Sequence, residues 1–96
     1  MIAGFGDKAT EDIYQGLNTK EARKIPQPIW KIIRRKLDMI NAARELKDLA
    51  APPGNRLEAL KGNLKGFMSV RVNDQYRVVF EFYQGEARKV QVKDYH

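Results

Sequence analysis

The spacing of apolar residues changes once along this 96-residue chain, and this change constrains the fold more than any other feature. Before the run APPGN at residues 51–55, apolar side chains recur about every 3.6 residues, as they do in helices with one buried face. After that run they alternate with polar side chains, as they do in strands with one buried face. We therefore predict an α+β domain with two N-terminal helices packed on one face of a small antiparallel β-sheet.

The first helix is predicted over residues 8–17. Ala9, Ile13 and Leu17 recur every four residues and would form one apolar stripe. Asp7 precedes this stripe, and its carboxylate can accept hydrogen bonds from the free amides of a helix N-terminus. Gly16 weakens the end of the segment.

The second helix follows the Pro-Gln-Pro run at residues 26–28, because proline is tolerated in the first turn of a helix. Its apolar positions step by four, four, three and three residues: Ile29, Ile33, Leu37, Ile40 and Ala43. The opposite face carries Lys31, Arg34, Arg35 and Asp38. We expect this amphipathic helix to end near residue 43 or 44, with residues 45–50 adding a further turn.

The strands are predicted mainly in the second half. Residues 2–5 are expected to form a short first strand. Three later strands, at residues 68–72, 76–83 and 87–93, are separated by short turns and predict an antiparallel meander. The chain shows neither a repeat nor a linker, so residues 1–96 are expected to form a single domain.

The charge of the chain is uneven. The formal net charge is +6, and residues 20–36 contain seven basic residues and one acidic residue, so this segment carries the whole excess. An anionic partner is therefore expected. The residues proposed to contact RNA are Lys31, Arg34 and Arg35 on the second helix and Arg71 on a strand. The plainer interpretation of such a helix face is that it is simply solvated.

Composition also limits the chemistry. The chain has no cysteine and one histidine, which argues against a disulfide or a zinc site, and no cofactor is expected. No apolar run approaches the roughly 20 residues of a membrane helix, and the apolar start is too short for a signal peptide. We expect a cytoplasmic protein.

The chain ends in Asp94-Tyr95-His96, three groups that can transfer protons or contact a substrate. Cleavage of RNA without a metal needs a base for the 2′-OH, an acid for the leaving 5′-oxygen, and cations on the phosphate. Arg77 and Lys61 are candidates for those cations. Each residue has a plainer interpretation: a terminal histidine is usually frayed, and an exposed arginine or lysine is usually solvated.

The order of these residues along the chain resembles the HigB toxins, a branch of the RelE superfamily of ribosome-dependent mRNA interferases. The resemblance covers essentially the whole chain. It begins with Met1-Ile2 and Phe5, and its main motifs are PPGNRLEALKG at residues 52–62, SVRVNDQYRVVF at residues 69–80 and the terminal DYH.

The resemblance implies a toxin that enters the A site of a translating ribosome and cuts the exposed mRNA codon. It implies that Arg77 and Lys61 hold the scissile phosphate and that Asp94, Tyr95 and His96 supply proton transfer and positioning. The basic helix would rest on ribosomal RNA. The implied partner is a HigA-like helix-turn-helix antitoxin.

One position departs from the pattern. Some HigB relatives have a histidine where this chain has Glu58, and a carboxylate can act as a base but is a poor acid at neutral pH. Either Glu58 is the base or the terminal cluster does most of the work, and the acid and base are not assigned individually. The alternative function is an RNA- or ribosome-binding module with little or no nuclease activity.

Overall fold

Residues 1–95, the part of the chain that this computed structural model describes, form three α-helices and a four-stranded antiparallel sheet. The helices are α1 (Lys8–Tyr14), α2 (Trp30–Ala42) and α3 (Leu46–Ala50). The strands are β1 (Glu58–Ala59), β2 (Met68–Arg71), β3 (Tyr76–Tyr83) and β4 (Glu86–Asp94), in the order β1-β2-β3-β4. Short 3₁₀ turns lie at Ala22–Lys24, Gln27–Ile29, Pro53–Asn55 and Gly62–Leu64. The predicted α+β class with helices on an antiparallel sheet is confirmed.

The first helix is shorter than predicted. Asp7 caps α1 as expected, because its Oδ1 accepts a hydrogen bond of 2.9 Å from the Thr10 amide. The helix ends at Tyr14, and Gly16 follows with a φ of +76°, a left-handed conformation that glycine adopts at little cost. The placement of Leu17 in the apolar stripe is therefore wrong, and its side chain is exposed.

The second helix matches the prediction closely. Its apolar side buries Ile33, Leu37 and Ile40 completely, and these side chains pack in one core with residues of β2, β3 and β4. The last turn is separate, since residues 46–50 form α3. A capping box starts α3: the side chain of Glu45 accepts from the backbone of Asp48, and that of Asp48 accepts from the backbone of Glu45. No helix in the described part of the chain is both long and apolar enough to cross a membrane.

Both tight turns of the sheet follow from their sequence. Gln84 and Gly85 connect β3 to β4 with φ values of +49° and +81°, as in the two-residue hairpin turns that match strand twist. Between β2 and β3, Asn73 Oδ1 accepts hydrogen bonds from the amides of Gln75 at 2.9 Å and Tyr76 at 2.7 Å. The three-strand meander is therefore confirmed.

Two edge elements differ from the prediction. β1 was not predicted, because two residues are too few to show alternation. It pairs with β2 through Glu58 opposite Ser69 and Ala59 opposite Met68. Residues 2–5 form isolated parallel bridges to β4, from Ile2 to Ala87 and from Phe5 to Val90, in place of the regular strand that was predicted.

The loop between α3 and β1 is anchored by a buried polar residue. Asn55 is completely buried, and its Nδ2 donates to the Leu49 carbonyl of α3 at 3.0 Å. Its Oδ1 accepts from Lys36 Nζ of α2 at 2.6 Å. Burial and the nearby charges of Arg35 and Arg71 lower the pKa of Lys36. One amide thus ties the loop to two helices.

Helix α1 is attached to the sheet and to the following loop by buried polar groups. Thr10 Oγ1 accepts a buried hydrogen bond of 2.9 Å from the Val92 amide of β4. Asp12 accepts from the Thr19 hydroxyl at 2.5 Å and pairs with Lys8 Nζ at 2.9 Å. The Thr19 hydrogen bond and the Lys8 ammonium hold the pKa of Asp12 below its usual value of 3.8.

We predict that Asp12→Asn lowers the free energy of unfolding at neutral pH. A carboxyl with a lowered folded-state pKa stabilises the protein above its unfolded pKa, and this contribution is lost as pH falls through the folded pKa. The variant should therefore lose less stability between pH 6 and about pH 2 than the wild type. Urea unfolding across this pH range measures the difference. The control is Glu11→Gln, because Glu11 only approaches Lys8 at 4.0 Å, and an equal loss in both variants would contradict the prediction.

We predict that Asn55→Ala lowers the free energy of unfolding by about 1–3 kcal/mol, because the buried Leu49 carbonyl and the Lys36 ammonium lose their partner. Denaturant unfolding measures this loss. The matched control is Asn63→Ala at an exposed position, which should change stability by less than about 0.5 kcal/mol. Similar values for the two variants would contradict the anchoring role.

Candidate active site

The predicted site lies on the face of the sheet turned away from the helices. Val70, Val78 and Val92 belong to the core against the helices. Because side chains alternate along a strand, the neighbours of these valines project from the opposite side, which we call the outer face. The register places Arg71, Arg77 and Lys93 side by side there, on three adjacent strands.

Arg77 is held on the outer face by acceptors on two residues. Its Nε donates to Ser69 Oγ at 2.7 Å, and its Nη2 donates to the backbone carbonyl of Arg56 at 2.6 Å. A longer contact of 3.4 Å joins Nη2 to the Ser69 carbonyl. The guanidinium is therefore oriented by neutral groups, which leaves its positive charge available to an anion.

The Arg56 carbonyl is aimed by the local backbone. Arg56 has φ +44° and ψ +55°, the left-handed conformation that few non-glycine residues adopt. It follows directly after Asn55, which the two helices hold in place. The motif at residues 52–62 thus has a structural role at Asn55 and Arg56, because this loop presents a carbonyl acceptor to Arg77.

The end of β4 is fixed as far as the structure describes it. Asp94 lies opposite Tyr76 in register, and its Oδ2 accepts from Gln75 Nε2 at 3.1 Å. The Tyr95 amide donates to the Gln75 carbonyl at 2.5 Å. The last strand and the turn before β3 therefore fix the backbone through Tyr95, while His96 lies outside the described residues.

A cavity of about 430 Å³ brings three predicted site residues together. Glu58, Lys61 and Tyr95 line it, together with Ala59 and Leu60. Glu58 and Lys61 are exposed, so their charges face solvent. Glu58 also lies opposite Ser69 in register, and cross-strand partners share a face of the sheet. The serine that holds Arg77 therefore lies on the face that also carries Glu58, although Arg77 does not itself line the cavity.

The row of cations favours an anion on the outer face. Like charges directly opposite one another on adjacent strands are mutually destabilising. Arg71 Nη2 pairs with Asp74 Oδ1 at 2.6 Å, but within residues 1–95 neither Arg77 nor Lys93 forms an ion pair. A bound phosphate would relieve this repulsion, and a nucleic-acid backbone supplies phosphates in series.

The basic face of α2 is separate from this site. Its apolar side packs in the core against the sheet, on the face opposite to that of Arg77. Lys31 and Arg35 are exposed on the other side of the helix, and Arg34 is half-buried at its flank. Lys36 lies between the two basic surfaces, because it reaches Asn55 and its pKa is affected by the charge of Arg71. The structure therefore groups the predicted RNA-contacting residues into two surfaces.

Sequence reasoning missed Ser69, Asn55 and Lys93. Lys93 lies two residues before Tyr95, which directly follows β4, so continued alternation would have placed both on one face. The position of Ser69 beside Arg77 could have been predicted from the turn at residues 73–75, because that turn sets the register of β2 against β3. The role of Asn55 had no sequence signal, because it depends on where two helices pack.

Comparisons with known proteins agree with this architecture. A family model described as "RelE-like toxin of type II toxin-antitoxin system HigB" matches residues 3–96. The protein named Toxin HigB-1 from Vibrio cholerae serotype O1 is 46% identical over 87 residues, which span 91% of this chain and 90% of that protein. The protein named Endoribonuclease HigB from Proteus vulgaris is 33% identical over 66 residues, or 62% of this chain and 72% of that protein.

The fold is also found among solved structures. A chain of the YoeB–YefM complex from Staphylococcus aureus superimposes with a TM-score of 0.62, covering 100% of this chain and 98% of that chain. Its sequence identity of 19% limits this likeness to the fold. The family match and the close relative together show that the chain belongs to the HigB-like toxins, the RelE-like toxins of type II toxin–antitoxin systems.

Proposed function

We propose that this toxin is an endoribonuclease that cuts mRNA in the ribosomal A site and thereby inhibits translation in the cytoplasm. The observation that carries the proposal is the shared cavity of Glu58, Lys61 and Tyr95, on the side of the sheet where Arg77 is held by Ser69 and Arg56. The name of the Proteus vulgaris relative, an endoribonuclease, supports the same chemistry.

The reaction needs no external nucleophile. The 2′-OH of the message attacks the adjacent phosphorus while the bond from phosphorus to the 5′-oxygen breaks. A base takes the proton of the 2′-OH and an acid protonates the leaving 5′-oxygen. The products are a 2′,3′-cyclic phosphate and a 5′-OH. Negative charge grows on the phosphate oxygens during this step, so fixed cations around them lower the barrier.

The site residues take roles according to their chemistry. Arg77 and Lys61 bind the scissile phosphate, Arg77 through paired N–H groups and Lys61 as a compact charge. Glu58 is the carboxylate among the described residues that line the cavity, and it accepts the 2′-OH proton. Tyr95 offers a ring for base stacking and a phenol that can donate to the leaving oxygen. Asp94 and His96 complete the proton transfer.

The two basic surfaces suit a ribosomal substrate. The outer face, with Arg71 beside Arg77, would contact the message, while Lys31, Arg34 and Arg35 on α2 would contact ribosomal RNA. So small a site offers few groups that read bases, and the ribosome supplies the positioning of the message. The partner that neutralises this toxin is proposed to be a HigA-like helix-turn-helix antitoxin.

We predict that the wild-type toxin creates new mRNA 5′ ends on isolated translating ribosomes. Arg77→Ala should reduce the cleavage rate roughly 100- to 1,000-fold, since one donor to a developing oxyanion contributes that much. Glu58→Gln should reduce it roughly 100- to 10,000-fold, because the amide cannot accept the proton. Primer extension or 5′-end sequencing gives the rates.

The matched control for these variants is Arg88→Ala, because Arg88 is an exposed arginine paired with Glu86 on β4 and lies outside the site. It should leave the cleavage rate unchanged. Stalled ribosomes without new 5′ ends would overturn the enzyme proposal and support the binding module in its place. If Glu58→Gln cleaves at the wild-type rate, Glu58 is not the base, and that role belongs to the terminal residues 94–96.

We predict a separate effect from the basic helix face. Lys31→Gln, Arg34→Gln and Arg35→Gln combined should weaken binding to ribosomes and reduce its salt dependence, because fewer counterions are released. The control combines Lys47→Gln, Arg88→Gln and Lys89→Gln, which removes the same charge from α3 and β4. Ribosome binding by both triple variants, measured at several salt concentrations, distinguishes the effect of this surface from that of the net charge. Equal weakening in both triple variants would contradict the helix surface.

A further inference from the structure

We propose that Ser69 is a positioning residue that orients Arg77 for the phosphate, an inference that rests on the proposed function. Ser69 lies at the centre of β2, with Glu58 of β1 on one side and Val79 of β3 on the other. Arg77 lies diagonally across from it, two residues before Val79, and reaches back to its hydroxyl. The serine hydroxyl therefore lies within hydrogen-bond distance of Arg77 Nε.

The hydrogen bonds of Arg77 come from Nε and Nη2. Nε donates to Ser69 Oγ at 2.7 Å, and Nη2 donates to the Arg56 carbonyl at 2.6 Å and to the Ser69 carbonyl at 3.4 Å. Nη1 has no hydrogen-bond partner among residues 1–95, so its N–H groups remain for an anion. Such charged donors suit the oxygens of a phosphate. Fixing Nε and Nη2 therefore determines where Nη1 points.

Ser69 acts indirectly, because it is completely buried and has no exposed surface for a substrate. A free arginine side chain loses rotamer entropy when it is fixed. Ser69 and the Arg56 carbonyl impose part of that order before the substrate arrives. Preorganised donors stabilise developing charge without rearranging during the reaction.

The acceptor pair also explains two unusual features of the sequence. A serine occupies a fully buried strand position where an apolar residue would pack well, and its hydroxyl accepts the Arg77 hydrogen bond. The left-handed Arg56 costs conformational energy, and its carbonyl accepts from the same guanidinium. Asn55 supports that conformation from the other side through α2 and α3. Ser69 of β2 and Arg56 of the preceding loop thus converge on one cation.

The test is a double-mutant cycle of Ser69→Ala and Arg77→Ala in the ribosome cleavage assay. Ser69→Ala should reduce the cleavage rate roughly 10- to 100-fold, as expected for a lost hydrogen bond to a charged group. In the Arg77→Ala background the same change should have no further effect, because the group it orients is gone. Ser69→Thr retains the hydroxyl and should keep most of the activity. Equal losses in both backgrounds would overturn the proposal.

A second measurement does not depend on nuclease activity. The Arg77 Nε–H signal in ¹⁵N–¹H NMR should exchange slowly with water in the wild type and in Ser69→Thr, and quickly in Ser69→Ala. Val79→Ala is the control for general destabilisation, because Val79 is buried opposite Ser69 but does not bond Arg77. It should retain the slow exchange. Slow exchange in Ser69→Ala would overturn the positioning role.

The two measurements separate failure of this inference from failure of the proposed function. Absence of cleavage by the wild type would contradict the proposed function. The NMR comparison would still decide whether Ser69 orients Arg77. If Ser69→Ala does not fold, Ser69→Cys replaces it, since the thiol has similar volume but is only a weak acceptor. Its expected effects have the same sign and are smaller.

Discussion

The register of β3 against its two neighbours is the constraint on which the other features of this toxin depend. It places Val78 between Val70 and Val92 in the core and, one residue earlier, sets Arg77 between Arg71 and Lys93 on the outer face. Because side chains alternate with a period of two, a slip of one residue would bury these cations and expose the core. The hairpin turns at residues 73–75 and 84–85 and the buried valines all favour the same register.

The helices contribute to the site without forming its surface. α2 and α3 hold Asn55, and the next residue presents its carbonyl to Arg77. The packing of the helices is therefore linked through one loop to the orientation of a cation on the other side of the sheet. The outer face meanwhile places like charges next to one another, and the loop that serves it contains the left-handed Arg56. Such conflicts with local preference are expected where a surface is selected to bind.

Much of this fold can be predicted from the sequence alone. The amphipathic α2, the cap at Asp7 and the β2–β3–β4 meander follow from periodicity and turn chemistry, because these act over a few neighbouring residues. The predictions were wrong at the end of the first helix and at the edges of the sheet. Leu17 continued a stripe that Gly16 terminates, β1 was too short to show alternation, and residues 2–5 pair with β4 through isolated bridges only.

By itself, the sequence determined the class of fold, the concentration of positive charge in residues 20–36, and the family to which the motifs at residues 52–62, 69–80 and 94–96 point. Only the tertiary structure decided that Glu58, Lys61 and Tyr95 share a cavity and that the basic helix lies on the far side of the sheet from Arg77. It also showed the roles of Ser69, Arg56 and Asn55. The reason is physical: periodicity reports which face of an element is buried, while contacts between distant segments depend on how the elements pack together.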